Sequence, residues 1–344
     1  MKKALKVKDT LDQRKKDHIV MALTSRVTLA QADGRFYYEP LLKSHPTSFT
    51  ESPFLYGGKT LKHPIWVSSM TGGTAAAGVI NKRLGQVCKE FGLGMGLGSC
   101  RIILDDNRYF KDFDIRKFTG DDVPLFANLG IAQVEQIHKA DAWDKIDRLI
   151  KKLQADGLII HINPLQEWLQ PEGDPITQPP IATIKAALGQ LKMPIIVKEV
   201  GQGMGPESLK ALMKMPLEAI EFAALGGTNF SSLELQRQDG PRKNELENIS
   251  RLGHSALDMV GFVNAIGSKP GQALQCKKFI ISGGITDFLD GYYLMHKINY
   301  PSIYGQASSF LSPARESYEA LRSYVKTQIE GLTIAYNYLT VRND

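Results

Sequence analysis

Cysteine is scarce in this sequence: 344 residues hold three, Cys88, Cys100 and Cys276. None stands in a C-x-x-C spacing, which argues against a structural zinc site and against a disulfide framework. Three ordinary core or surface thiols are expected. Long hydrophobic runs are missing too. No stretch approaches twenty uninterrupted apolar residues, so no transmembrane helix is expected. The opening MKKALKVKDTLDQRKKDH is basic and has no apolar signal core, so the expected location is cytoplasmic.

Several catalytic signatures are absent as well. There is no G-x-S-x-G nucleophile elbow and no Walker A lysine motif. GLGMGLGS resembles a dinucleotide fingerprint, but G-x-G-x-x-G from Gly94 is broken by Ser99, and from Gly201 by Pro206. A Rossmann site is therefore not indicated. A Ser/His/Asp triad stays open, because triads are assembled in space.

What is present is an ordinary globular composition, 43% hydrophobic and 23% charged, with enough apolar residues for a full core. The net charge is +6. A basic balance admits nucleic acid, a membrane surface or an anionic substrate. The lysines are dispersed and no run carries interleaved aromatics like a single-strand platform; no nucleic-acid or membrane partner is expected. Seven basic residues lie in the first sixteen positions. Arg14, Lys15, Lys16, Asp17 and His18 read either as a solvated tail or as a diphosphate clamp on a mobile arm.

Eight short β-like runs alternate with helical patterns: HPIWVSSM (63–70), GMGLGS (94–99), VPLFANLG (123–130), GLIIHIN (157–163), PIIVKEV (194–200), AIEFAAL (219–225), KFIISGG (278–284) and SIYGQAS (302–308). Several are nearly continuous apolar runs, as parallel strands covered on both faces require. Residues 75–92 place Val79, Arg83/Leu84, Val87/Cys88 and Phe91 at helical spacing. TIKAALGQLK (183–192) and SLKALMKM (208–215) behave likewise, the second opening on a cap-like Pro-Glu-Ser. Strand then helix, eight times, predicts an α/β (β/α)₈ TIM barrel. Two excursions interrupt it: an N-terminal extension, 1–56, before a catalytic barrel domain, 57–344, and a long polar loop after strand six, 229–253. Such a loop reads as a lid or as a merely disordered segment.

In such a barrel the site lies at the C-terminal strand ends. There the chain carries Ser69-Met70-Thr71, Ser99-Cys100-Arg101, Asn128, His161 through Glu167, Lys198-Glu199, Thr228, Ser282-Gly283-Gly284 and Gln306-Ala307. SGG and GQA, after strands seven and eight, fit a backbone phosphate site. Lys198 ends an apolar strand. It reads as a Schiff base, as a charge beside an electron-rich ring, or as a salt bridge to Glu199 or Glu221. Glu167 among Gln166, Asn163 and His161 suits Mg²⁺ rather than zinc. His161 and Asn163, at i and i+2 on one strand face, could both donate to a diphosphate; the alternative is a polar helix cap.

Taken together, RKKDH, SSMTGG, GSCR, ANLG, HINPLQEWLQPEGD, VKEVGQGM, GGTNF and SGGI resemble the type II isopentenyl-diphosphate isomerases, flavin-dependent (β/α)₈ enzymes. The pieces occur in the family's order from residue 14 to about residue 311, and the H-x-N-x-x-Q-E…Q-P-E-G-D run is the most specific. The resemblance implies interconversion of isopentenyl and dimethylallyl diphosphate, with reduced FMN as acid–base catalyst, Mg²⁺ on the diphosphate and NADPH as reductant. It places Ser69, Met70, Thr71, Ser99, Asn128, Lys198 and Thr228 on the flavin, and Gly283, Gly284, Gln306 and Ala307 on its phosphate. Arg14, Lys15, Arg101, His161 and Asn163 would bind the diphosphate. Gln166 would lie by the reacting carbons and Glu167 on the metal. A homo-tetramer or homo-octamer is also implied. Three positions depart from the pattern: Ala223 in place of a serine, Thr286 in place of an arginine, and GQASSF in the last turn. An FMN-barrel oxidoreductase and a non-catalytic flavin- or phosphate-binding barrel are the alternatives.

Overall fold

The structure, a computed structural model, describes residues 2–49 and 53–342. Residues 1, 50–52 and 343–344, which fall inside the two segments read from the sequence, lie outside the described residues. The chain divides into two compact units, Met1–Glu39 with Leu339–Asp344, and Pro40–Tyr338.

The first unit holds a helix, Lys2–Met21, and a strand, Phe36–Tyr38, paired antiparallel with Leu339–Val341. Arg342 stacks over the Tyr37 ring at 4.6 Å. The basic head is therefore helical rather than an open tail, with Arg14, Lys15 and Lys16 exposed along it.

In the second unit eight parallel strands close into a barrel in chain order. They are β1 Ile65–Val67, β2 Gly94–Gly96, β3 Leu125–Gly130, β4 Gly157–His161, β5 Ile195–Lys198, β6 Ala219–Glu221, β7 Phe279–Ser282 and β8 Ser302–Gln306. Each lies within one of the eight runs read from the sequence. Closure is β8 on β1, with Gly305 opposite Trp66. The interior is filled by Trp66, Phe126, Ile159, Ile196, Ile280 and Ile303, and a hairpin of Phe54–Tyr56 and Lys59–Leu61 adds Tyr56 and Leu61 to this cluster. Tyr56, fully desolvated, donates its hydroxyl to the Phe279 carbonyl at 2.9 Å, which satisfies the polar end of a buried ring. Gly94 is a packing requirement: a Cβ there would stand 2.3 Å from the Trp66 ring.

The helices correct several local readings. Thr74 caps Ala75–Phe91 by accepting from the Ala77 N–H, and Gly92 ends it in the left-handed region. Its buried face runs through Ala77, Asn81, Leu84 and Cys88, while Val79 is exposed. The helix Pro206–Met213 is capped by Gly205, not by Pro-Glu-Ser, with Pro206 in its first turn, where a missing N–H costs nothing. The polar stretch 229–253 is not a loop. It forms two helices, Phe230–Gln236 and Arg242–Ser250. Asn229 caps the first through Ser232, and its amide donates to the Ser250 carbonyl at 2.8 Å, pinning the second. Gln202 adds bonds to the Ile249 and Leu252 carbonyls. Among the described residues no helix is long and apolar enough to cross a membrane.

Candidate active site

Register decides which strand-end residues meet. Gly130 pairs with His161, His161 with Lys198, and Lys198 with Glu221. These form one row across β3 to β6 at the C-terminal rim, where a (β/α)₈ site belongs.

From this row a cavity of about 240 Å³ opens toward β7, β8 and β1. Ser69, Lys198, Thr228, Gly283, Gly284, Gln306 and Ala307 all line it. Its far end is backbone. Gly283 and Gly284 sit at φ +90° and +72°, and a Cβ on Gly283 would stand 2.1 Å from the Ala224 carbonyl oxygen. Next to them the helix Ser308–Glu316 begins at Ala307 with no side-chain cap, which leaves N–H groups for an anion. Gln306 is held in place, accepting from the Tyr324 hydroxyl at 2.8 Å and donating to the Ile285 carbonyl at 3.2 Å. Thr286, the position without arginine, hydrogen-bonds Asp290 through its N–H and hydroxyl. An anion at this end would therefore meet neutral donors.

The near end is charged. Lys198 is 7% exposed and donates to the Glu199 backbone carbonyl at 2.7 Å. The salt bridge to Glu199 or Glu221 considered from sequence is not what it makes. The Glu199 carboxylate instead accepts from the N–H groups of Gly201, Gln202 and Gly203, and burial pushes its carboxyl up. Glu221 is fully buried beside Lys198. Its Oε1 accepts from Ser68 at 2.6 Å and Ser282 at 3.2 Å, while Oε2 has no partner. Burial raises this carboxyl as well, against the pull of the Lys198 ammonium. Ala223 takes φ +44°, and its N–H donates to Ser282 Oγ at 3.0 Å.

The other sequence-derived residues fall beside this cavity. Asn128 donates to the Leu97 carbonyl at 3.0 Å, and its Oδ1 lies 2.8 Å from His161 Nδ1. That contact gives the His161 proton to Nδ1 and leaves Nε2 as an acceptor. Burial, then the Lys198 charge, pushes the imidazole down to about 3, so it is neutral near pH 7. Met70 and Thr71 are half-buried and Ser99 is exposed; none of the three lines the cavity.

β4 ends at His161, so His161 and Asn163 do not share a strand face. Asn163 is the N-cap residue of the helix Pro164–Leu169. Its amide donates to Glu167 Oε1 at 2.9 Å and Gln166 Oε1 at 3.2 Å, and its own Oδ1 is buried without a partner. Glu167 Oε2 accepts from the Asp174 N–H at 2.8 Å. Gln166 donates to Glu234 on Phe230–Gln236. Arg101 is half-exposed and pairs with Asp174 at 2.6 Å. This cluster borders a second cavity through Asn163 and Gln166, and Val200 lines both cavities. Arg14 and Lys15 belong to the first unit.

Among the described residues no three His, Cys, Asp or Glu side chains gather as a metal site. A cation here would rest on Glu167 and Asn163 Oδ1, two hard oxygen donors, plus oxygens of a ligand, as suits Mg²⁺. All three cysteines are buried. Burial pushes Cys100 up to about 12 and Cys276 up to about 11, which leaves no thiolate for nucleophilic chemistry near pH 7.

Two residues escaped the sequence reading. Glu234 lies in the stretch read as a loop and carries no local signal. Glu221 has one: it is a carboxylate inside the apolar run AIEFAAL, where the sequence marks it as a possible partner of Lys198.

An isopentenyl-diphosphate delta-isomerase of Rickettsia africae (strain ESF-5) is 33% identical over 328 residues, covering 94% of this chain and 92% of the relative. The chain belongs to the isopentenyl-diphosphate delta-isomerase family. A second isopentenyl-diphosphate delta-isomerase, from Rickettsia prowazekii (strain Madrid E), is 32% identical over 328 residues with the same two coverages. No family model matches the chain. Among solved structures, a mandelate oxidase variant with (S)-mandelic acid superposes with a TM-score of 0.57 at 12% identity, covering 90% of this chain and 86% of that one. A mandelate oxidase variant with a monooxide FMN adduct gives 0.55 at 12% identity, covering 90% and 88%. At that identity the likeness bears on the (β/α)₈ fold alone, which this family member shares.

Proposed function

We propose that the chain interconverts isopentenyl diphosphate and dimethylallyl diphosphate as an FMN-dependent, type II isomerase. One observation carries the reading: in a member of this family, the barrel rim joins a glycine-walled cavity holding a buried lysine to the β4 cluster of His161, Asn163, Gln166 and Glu167.

The cavity fits FMN on three counts. Its glycine turn and open helix start suit a phosphate. Lys198 suits negative charge on a reduced ring. Ser69 Oγ and Glu221 Oε2 are buried without partners, so the cavity has hydrogen-bonding capacity for a polar ligand. Bound there, reduced FMN would supply an acid–base group, and negative charge against a developing tertiary cation, with no net redox. Ser69 and Thr228 line that cavity; Met70, Thr71, Ser99 and Asn128, which lie beside it, would complete the flavin contacts, and NADPH would serve as the priming reductant.

Protonating an unactivated alkene demands exclusion of water and a fixed substrate. The diphosphate is assigned to Arg14, Lys15, Arg101, His161 and Asn163. Arg101 would leave or share its pairing with Asp174 to do this. A diphosphate beside His161 also favours protonating Nε2, because an adjacent anion opposes the effect of burial. Glu167 and Asn163 Oδ1 would hold Mg²⁺ against the diphosphate. Gln166, clamped by Asn163 and Glu234, would present its amide to the reacting carbons. The reading includes a homo-tetramer or homo-octamer, with the exposed Ile19, Val20, Met21 and Leu23 of the first unit as apolar surface available for association, and light scattering would measure it.

The deciding experiment is an anaerobic NMR assay in D₂O with isopentenyl diphosphate, FMN and Mg²⁺, with and without NADPH. Deuterated dimethylallyl product that forms only when the flavin is reduced supports the reading. No product, with flavin bound and reduced, sinks it and turns the search to an oxidoreductase substrate.

A further inference from the structure

Glu221 is a buried ionisable group in the cavity wall that the proposed chemistry leaves unused. It ends β6, fully buried, and lines the cavity. The groups facing it are the Ser68 hydroxyl from β1's end, the Ser282 hydroxyl from β7 and the Lys198 ammonium from β5. Both hydroxyls go to Oε1. Lys198 spends its hydrogen bond on the Glu199 carbonyl. Oε2 is left with nothing. A buried acceptor without a donor is costly and uncommon, so a ligand that brings a donor is the natural completion.

The position in the barrel says which part of a ligand that is. In register, Glu221 stands between Lys198 on β5 and Ile280 on β7. On the β5 side lie Lys198, Val200 and Phe230. On the β7 and β8 side lie the Gly283-Gly284 turn and the start of the helix at Ser308. A ligand with a ring at the first end and a phosphate at the second has to cross β6 with its connecting chain. A phosphate is disfavoured beside Glu221, since carboxylate and phosphate repel and Lys198, the cation lining the cavity, already donates to the Glu199 carbonyl. A hydroxyl is favoured, because it donates.

We propose that Glu221 is a polyol-binding residue, taking a hydroxyl hydrogen of the flavin's ribityl chain on Oε2 and so setting which end of the cavity receives the phosphate. This rests on the FMN reading and adds the contact that orients the cofactor. Ser68 and Ser282 then act as positioning residues, fixing the carboxylate so that Oε2 is the free oxygen.

The test is flavin fluorescence quenching with apoprotein and three ligands: FMN, riboflavin, and lumiflavin, which has the ring but no ribityl hydroxyls. Glu221→Ala is expected to weaken FMN and riboflavin by about tenfold or more, the scale of one hydrogen bond to a charged group, and to leave lumiflavin unchanged. Glu221→Gln keeps the shape if the alanine variant folds poorly, and is expected to show a smaller loss with the same pattern. Equal losses for lumiflavin and riboflavin, or no loss for either, overturn the proposal while the FMN reading stands. Wild-type protein that binds none of the three overturns both.

Discussion

Gln166 and Glu234, 68 residues apart in the chain, meet side chain to side chain: Gln166 Nε2 donates to Glu234 Oε1 at 3.1 Å. Asn163 holds the other end of the same amide, and Arg237 holds Glu234 at 2.6 Å. The orientation of Gln166 is thereby set from both sides. Glu234→Ala is expected to lower kcat about tenfold to hundredfold with little change in KM, the cost of a misplaced group at a reacting centre. Glu234→Gln, which can still accept, should recover part of the loss. Steady-state kinetics with isopentenyl diphosphate check this; an unchanged kcat would remove Glu234 from the site.

Glu167 has both carboxylate oxygens engaged, one by Asn163 and one by the Asp174 N–H. Glu167→Gln keeps the shape and removes the charge. Turnover should fall by about tenfold or more, roughly 1.4 kcal/mol, and the Mg²⁺ requirement should rise. Rates measured across a Mg²⁺ titration decide it, and unchanged kinetics at limiting Mg²⁺ would take Glu167 off the metal.

Gly283→Ala places a side chain at φ +90° and 2.1 Å from the Ala224 carbonyl. A destabilisation of about 1–3 kcal/mol is expected from the backbone strain alone, together with loss of retained flavin. Gly189, in the helix Pro180–Gln190, has open space around it. Gly189→Ala should therefore stabilise by about 0.5–1 kcal/mol. Thermal melts of the two variants should move in opposite directions.

His161 makes stability depend on pH in a definite direction. Its folded value lies near 3, below the ordinary 6.5. Between these limits the unfolded chain takes up a proton that the folded one refuses. Its contribution is complete above pH 6.5 and is lost as pH falls toward 3, with a ceiling of about 1.4 kcal/mol per pH unit for one proton. Denaturant titrations at pH 7.5 and 5 should show a smaller pH dependence in His161→Gln. An identical dependence would mean that the imidazole already carries its proton when folded.

The barrel was readable because its signal is local. Each strand shows as an apolar run such as GLIIHIN, and parallel strands covered on both faces leave that mark wherever they occur. The stretch 229–253 was not readable. Its helices depend on the Asn229 cap and on carbonyls bonded by Gln202 from another loop, and polar composition by itself does not separate such helices from a loop. Asn163 shows the same limit: alternation along a strand predicts a shared face with His161, but the strand stops two residues earlier.

By itself, then, the sequence determined the eightfold repeat, the rim on which the polar residues gather and the family the motifs resemble, since apolar periodicity and motif order are properties of neighbouring residues. Tertiary structure alone decided that Lys198 turns to a carbonyl, that Glu221 keeps one oxygen free beside it, and that Glu234 reaches Gln166. Those contacts join residues brought together by barrel closure and strand register. A hydrogen bond depends on where two groups stand in space, and separation along the chain does not record that.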